Sequence, residues 1–195
     1  VSIYPVRRAF AVQCAFRLRW PSWRAGDAWL IFRFQKGCRF MRLIVGLAQM
    51  YPKLGDVQAN LAQHLALLDQ AAAEGVELVV FPELSLTGYQ VQDLVPEVAI
   101  RAAPDDPVFR QLLDASRRLD IVFGFVQEDR RQRFYTSAAY LSGGACLHIH
   151  QKIYLPTYAM FDEGRYFDQG ERVRAVDTRY GRVGMLICED FWHVS

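Results

Sequence analysis

Apolar and polar residues follow two different periods between residues 43 and 84. The continuous apolar run at 43–49 is typical of a buried strand, and the similar run at 77–84 predicts a second one. Between them, apolar residues recur every three or four positions, at Val57, Leu61, Leu65, Leu68 and Ala72. That spacing places one apolar stripe on a helix, for which Asp56 is the expected N-cap and Gly75 the end. Strand, helix and strand in this order predict a βαβ unit with parallel strands.

The next part of the chain repeats this order with a helix and a strand. Residues 107–119 fit a helix that begins after Asp106 and has Pro107 in its first turn. The apolar run at 121–127 then predicts a third buried strand.

The remaining strands are predicted to be antiparallel. The segments 133–142 and 145–152 flank the dipeptide Gly143-Gly144, and glycine takes the positive φ that a two-residue hairpin turn requires. Residues 172–188 predict a second hairpin, whose last strand ends at Cys188. The complete pattern predicts an α/β domain with a mixed sheet and helices on one face.

Composition agrees with a globular domain. The chain has 195 residues, of which 52% are hydrophobic and 23% charged, and a chain of this length buries a substantial core. Its four cysteines have no CxxC spacing and no accompanying metal-type histidines, so neither a disulfide framework nor a zinc site is predicted. A reducing, cytoplasmic location is expected.

Residues 1–40 differ from the rest of the chain in charge. They hold eight basic residues and one acid, a net charge of +7, so the overall +2 leaves residues 41–195 with −5. This argues against a nucleic-acid partner for the domain. Residues 1–40 contain neither a membrane span nor a signal peptide pattern and show no clear period. We predict that they are an extension outside the native coding sequence or disordered, with the domain occupying 41–195; the alternative is a basic arm that contacts a membrane surface or a partner.

Three reactive residues stand at the ends of predicted strands, where the sites of α/β sheets collect: Glu83, Lys152 and Cys188. A carboxylate with a raised pKa can take the proton of a thiol. A nearby ammonium lowers the thiol pKa and stabilises the oxyanion that forms when the thiolate attacks a carbonyl or nitrile carbon. The backbone N–H of Glu189 is the expected second oxyanion donor. This set suffices for acyl transfer without histidine or metal.

Each reactive side chain also has a plain structural explanation. A lone cysteine at a strand end is commonly a small buried hydrophobic residue, and acids or lysines there are commonly solvated. Cys146, inside a strand, is expected to pack. His148 and His150 alternate along one strand and lack an evident third ligand, so a structural role is preferred to a metal site. His193 could pair with Cys188, but helix-start or surface packing is preferred.

Three segments together resemble a known family. They are "FPELSLTGY" (81–89), "HQKIYLPTYAMFDEGRYFDQG" (150–170) and "VGMLICEDFWH" (183–193). In order and separation they resemble the three catalytic blocks of the nitrilase, or carbon–nitrogen hydrolase, superfamily. Three blocks in register are much more specific than any one of them.

The resemblance implies a fold, a reaction and residue roles. The fold is a four-layer α-β-β-α sandwich that assembles into homo-oligomers, and the reaction is amide hydrolysis through a thioester, without metal or organic cofactor. Glu83 matches the general base, Lys152 the lysine and Cys188 the nucleophile. Glu163 matches a further glutamate that orients the lysine and the substrate.

The segments "PELSLTGYQVQDLV" and "CEDFW" look most like the glutamine-amidase domains of glutamine-dependent NAD synthetases and related stand-alone amidases. We expect an amidase that cleaves a small-molecule, non-peptide amide, with the glutaminase domain as the alternative and a true nitrilase less favoured. Tyr89, Tyr158 and Phe161 are expected to bind substrate. Family members continue beyond the nucleophile block, so an alternative of another class is a non-catalytic fragment, truncated after that block.

Overall fold

The predicted βαβ unit is present at the centre of the fold. The computed structural model of the chain describes residues 29–36 and 41–193. Strand β2 (Met41–Ala48) is followed by helix α1 (Val57–Ala73) and by strand β3 (Leu78–Val80), which pairs with β2 in parallel. The side chain of Asp56 accepts a hydrogen bond of 3.0 Å from the backbone N–H of Ala59, which confirms it as the N-cap.

Seven strands of the described residues form the main sheet, in the order β1-β2-β3-β5-β6-β7 with the short β4 paired to β5. The other strands of this sheet are β1 (Trp29–Lys36), β4 (Ile100–Arg101), β5 (Asp120–Glu128), β6 (Phe134–Ser142) and β7 (Ala145–Gln151). Strands β2, β3 and β5 are mutually parallel, whereas β5, β6 and β7 are antiparallel. The sheet is therefore mixed, as predicted.

The second helix and the glycine hairpin also follow the prediction. Helix α3 (Pro107–Ala115) begins where Asp106 accepts hydrogen bonds from two backbone N–H groups of its first turn. Gly143 and Gly144, with φ of 61° and 84°, make the turn between β6 and β7. The short helix α2 (Val95–Val98) lies between β3 and α3 in the chain and was not predicted.

Alternate residues of each strand face different layers. Val79 and Phe123 belong to the core that also contains Leu68 of α1 and Leu112 of α3. The opposite face of the sheet is covered by a two-stranded antiparallel sheet, β8 (Ala175–Thr178) and β9 (Gly181–Gly184), together with the residues that follow it. The described residues thus form helix, sheet and sheet layers, which are three of the four layers expected.

The last predicted strand is shorter than expected, which changes the setting of Cys188. Strand β9 ends at Gly184, and Cys188 begins a 3-10 helix (Cys188–His193). The apolar run that suggested a longer strand exists because Met185 and Ile187 are buried against the main sheet. Packing on a sheet face produced the apolar pattern without a strand ladder.

Within residues 1–40, the structure describes a strand that was not predicted. Strand β1 pairs antiparallel with β2 over eight residues, with Trp29 opposite Ala48. The remainder of residues 1–40 lies outside the described residues, and the domain boundary at Met41 stays a prediction. Among the described helices, none is long and apolar enough to cross a membrane.

Candidate active site

Glu83 lies in a turn just beyond β3. Leu84, the next residue, has a φ of +49°, a left-handed conformation that costs free energy in a residue with a side chain. The turn is held by His64 of α1, whose Nε2 lies 2.9 Å from Ser85 Oγ. Burial lowers the pKa of His64 to about 4, so its ring is neutral near pH 7. Its Nδ1–H donates to the carbonyl oxygen of Asn60, and Nε2 therefore accepts from Ser85.

Lys152 is fully buried between two carboxylates. Its Nζ donates hydrogen bonds of 2.8 Å to Glu83 Oε1 and 2.7 Å to Glu163 Oε1. The backbone around it continues the β7 ladder, because Lys152 N–H donates to the carbonyl oxygen of Thr136. Burial alone would lower the pKa of Lys152, but the charge of Glu83 and the hydrogen bonds to both glutamates outweigh it and raise the pKa. The ammonium is therefore charged at neutral pH.

Glu163 starts the 3-10 helix Glu163–Arg165 and is 4% exposed. Its Oε1 accepts hydrogen bonds from both Lys152 Nζ and Tyr89 Oη. Burial and the hydrogen bond to Glu163 raise the pKa of Tyr89, so the phenol remains protonated and acts as donor. Tyr89 thus fixes the carboxylate of Glu163 that binds the ammonium.

Cys188 is exposed, and its backbone has a φ of +46°. Its side chain lines the same cavity as Glu83, and the charges of both Glu83 and Lys152 act on the thiol. Burial and the charge of Glu83 raise the pKa of Cys188, while Lys152 opposes them. Burial also raises the pKa of Glu83, against the effect of Lys152. The resting site therefore pairs a protonated thiol with a carboxylate of increased basicity.

The three aromatic residues predicted to bind substrate lie together beside Glu163. The ring of Phe161 meets the rings of Tyr89 and Tyr158 edge to face, with centroids 6.0 and 5.7 Å apart. Tyr158, which is 56% exposed, donates a hydrogen bond of 3.0 Å to Glu189 Oε2. They form an aromatic wall next to the charged groups, and their role in binding stays a prediction.

A cavity of about 330 Å³ lies between the main sheet and the chain segment 183–188. Glu83 and Cys188 are among its lining residues, and apolar side chains such as Val80 and Met185 line much of the rest. The carboxylate and the thiol thus border a cavity that opens to solvent and has the size in which small ligands bind.

Other candidates from the sequence lie away from the thiol chemistry. His193 stacks on Tyr154 at 4.2 Å and hydrogen-bonds Glu189, which is packing at the surface as preferred. Burial raises the pKa of Cys146 to about 11, so this thiol is protonated at neutral pH. Within residues 29–36 and 41–193 no group of three or more His, Cys, Asp or Glu side chains is arranged to hold a metal ion.

Asp190 is a functional candidate that the sequence reasoning missed. Its carboxylate is 1% exposed and accepts hydrogen bonds from His150 and from three backbone N–H groups. Burial would raise the pKa of Asp190, but these hydrogen bonds outweigh it and lower the pKa. The only sequence signal was an acid two positions after Cys188, which a solvated residue would give equally well.

The fold agrees with comparison to known proteins. Residues 44–194 match the carbon-nitrogen hydrolase family, so the chain belongs to that family. This confirms the family that the three sequence blocks indicated, together with its nitrilase-type α/β fold.

More specific similarities are to glutamine-dependent NAD(+) synthetases. The enzyme of Thermotoga maritima is 37% identical over 154 residues, which are 78% of this chain and 26% of that protein. The solved structure of the glutamine-dependent NAD+ synthetase from Acinetobacter baumannii has a TM-score of 0.65 at 32% identity, over 77% of this chain and 28% of that one. The chain thus spans about a quarter of the length of these relatives.

A shorter relative shows the same fold. The structure of Saccharomyces cerevisiae Nit3, a member of branch 10 of the nitrilase superfamily, has a TM-score of 0.66 at 24% identity. The match covers 76% of this chain and 56% of that one. At this identity the similarity concerns the fold alone.

Proposed function

We propose that the chain hydrolyses the side-chain amide of glutamine, as the glutaminase part of a glutamine-dependent NAD synthetase. The observation that carries the proposal is the Lys152 ammonium bonded to Glu83 and Glu163 beside the Cys188 thiol. The sequence favoured an amidase of unspecified substrate and kept the glutaminase as its alternative. The 37% identity to a glutamine-dependent NAD(+) synthetase supports the glutaminase better than the amidase of unspecified substrate.

In the proposed first half-reaction, Glu83 accepts the thiol proton of Cys188. The thiolate attacks the carboxamide carbon, and the negative charge that develops on the amide oxygen is stabilised by Lys152 Nζ and the Glu189 N–H. Glu83 then returns the proton to the departing nitrogen. The carbon–nitrogen bond breaks, ammonia leaves and a thioester remains on Cys188.

In the second half-reaction, Glu83 takes a proton from water, which attacks the thioester carbon. The carbon–sulfur bond breaks and the proton passes to the thiolate, so the balance is glutamine plus water to glutamate plus ammonia. Glu83 is suited to both proton transfers, because burial raises its pKa toward neutrality. Use of the ammonia for NAD synthesis, assembly into a homo-oligomer and a cytoplasmic location belong to the same proposal.

An ammonia-release assay with glutamine, asparagine and propionamide tests the assignment. Glutamine is expected to be the best of the three, and Cys188→Ala and Glu83→Gln are expected to reduce turnover by about 1,000-fold or more. Cys146→Ala is the matched control and should keep wild-type turnover, since that thiol lies outside the site. Equal turnover of propionamide and glutamine would favour the unspecific amidase, and an active Cys188→Ala protein would refute the thioester mechanism.

A further inference from the structure

The buried carboxylate of Asp190 joins two chain segments that are far apart in sequence. Oδ1 accepts hydrogen bonds of 2.9 Å from the backbone N–H groups of both Ile153 and Tyr154. Oδ2 accepts one of 3.1 Å from the N–H of Ile187 and one of 2.7 Å from Nε2 of His150. Each oxygen therefore has two donors, which is as many as its lone pairs accommodate well.

These donors are neighbours of the reactive residues. Ile153 follows Lys152 directly, and Ile187 directly precedes Cys188. One carboxylate therefore fixes the backbone on the lysine side and the backbone on the cysteine side at the same time. Main-chain hydrogen bonds to a buried carboxylate are short and directional, because one partner is charged.

Residues 185–187, which lead to Cys188, need such a fixed point. They follow the end of β9 at Gly184 and precede the 3-10 helix that begins at Cys188, whose backbone φ is +46°, so strand pairing does not hold them in place. The buried side chains of Met185 and Ile187 hold this segment against the main sheet, but they do not fix its position relative to Lys152. The hydrogen bonds that Asp190 accepts from Ile153 and Ile187 fix that position.

We propose that Asp190 is a positioning residue that, with His150, sets the separation between the Lys152 ammonium and the Cys188 sulfur. This inference rests on the proposed function, in which both groups act on one amide. Asp190 touches neither substrate nor reacting atoms in this scheme. Its contribution is geometric, and misplacement of a reacting group by about 1 Å can cost about 100-fold in rate.

The substitution Asp190→Asn tests the carboxylate with little change of shape. An amide has one acceptor oxygen, so its NH₂ group must face either the Ile153 and Tyr154 pair or the other two donors. We expect kcat for glutamine to fall by about 100-fold while KM changes less than about threefold. Asp177→Asn is the matched control, because Asp177 pairs with Arg182 on the exposed hairpin and should be neutral.

A second readout does not depend on turnover. The rate of Cys188 alkylation by iodoacetamide, measured against pH, reports the thiol pKa, to which the charges of Glu83, Lys152 and Glu163 contribute. Displacement of the ammonium in Asp190→Asn should move the midpoint upward by about one pH unit. If the wild type releases no ammonia, the proposed function fails, while the alkylation profile still decides the role of Asp190.

Variants of His150 keep the inference testable if Asp190→Asn does not fold. Gln places an amide N–H near the position of imidazole Nε2, whereas Phe removes the donor. We expect His150→Phe to lower kcat and shift the alkylation midpoint, and His150→Gln to restore both in large part. Folded Asp190→Asn or His150→Phe protein with wild-type kcat and an unchanged midpoint would overturn the inference, as would equal behaviour of the Phe and Gln variants.

Discussion

Acidification should destabilise the protein through His64, whose ring is buried against the turn that carries Glu83. Its pKa is about 4 in the folded chain and 6.5 when unperturbed. Between these values the unfolded chain binds a proton that the folded chain does not, so stability decreases as pH falls from 6.5 to 4. This pKa difference corresponds to about 3 kcal/mol of stability. Most of it, about 2 kcal/mol, is lost between pH 7 and 4.5.

Urea unfolding of the wild type and of His64→Gln at pH 7 and pH 4.5 measures the contribution of His64 to the free energy of unfolding. Acids such as Asp190 titrate in both proteins, so their contribution cancels in the comparison. The wild type is expected to lose about 2 kcal/mol more than His64→Gln on acidification. His193→Gln is the matched control, since the side chain of His193 is 46% exposed, and it should follow the wild type closely. An equal loss in wild type and His64→Gln would show that His64 titrates normally in the folded chain.

Two further substitutions test the packing and the charge of the site. A Cβ at Gly124 would lie 2.5 Å from a backbone nitrogen of the turn that carries Glu83. Gly124→Ala should therefore lower the free energy of unfolding by about 2 kcal/mol or more, measured by thermal denaturation, and should also reduce turnover. Gly184→Ala, where a Cβ meets nothing within 4 Å, is its control, and equal effects would refute the clash. Lys152→Met leaves the half-buried Glu83 and the buried Glu163 without a counter-charge and should lower the free energy of unfolding by about 3–5 kcal/mol in urea at pH 7. Stability should partly recover at pH 5, because burial raises the pKa of Glu83 and the lysine no longer opposes it. A loss that is unchanged at pH 5 would contradict this explanation.

Elements with local signals were predictable from the sequence. Asp56 and Asp106 cap α1 and α3 through their own side chains, and the two glycines of the hairpin turn adopt the positive φ that they suggested. Such signals involve only a few neighbouring residues and can be recognised in a single sequence. Strand β1 shows the limit, since its existence depends on pairing with β2 and not on a local cap or turn.

The site was predictable only in part. Glu83, Lys152 and Cys188 were identified by their chemistry and by the resemblance of three separated blocks, and the structure brings them together. The turn at Cys188 was not predicted, because tertiary packing of Met185 and Ile187 imitates a strand pattern. Asp190 was missed because its four hydrogen bonds come from segments about 40 residues away or from backbone groups, which leave no spacing in the sequence.

The register between β6 and β7 shifts by one residue between Tyr140 and Leu141. Leu147 is therefore an extra residue of β7, and beyond it the ladder continues to Lys152, whose N–H donates to the carbonyl oxygen of Thr136. Successive side chains of a strand point to opposite faces, so a ladder without this shift would turn the Lys152 side chain away from the carboxylates. A single irregularity five residues before Lys152 thus decides which face of the sheet carries the ammonium.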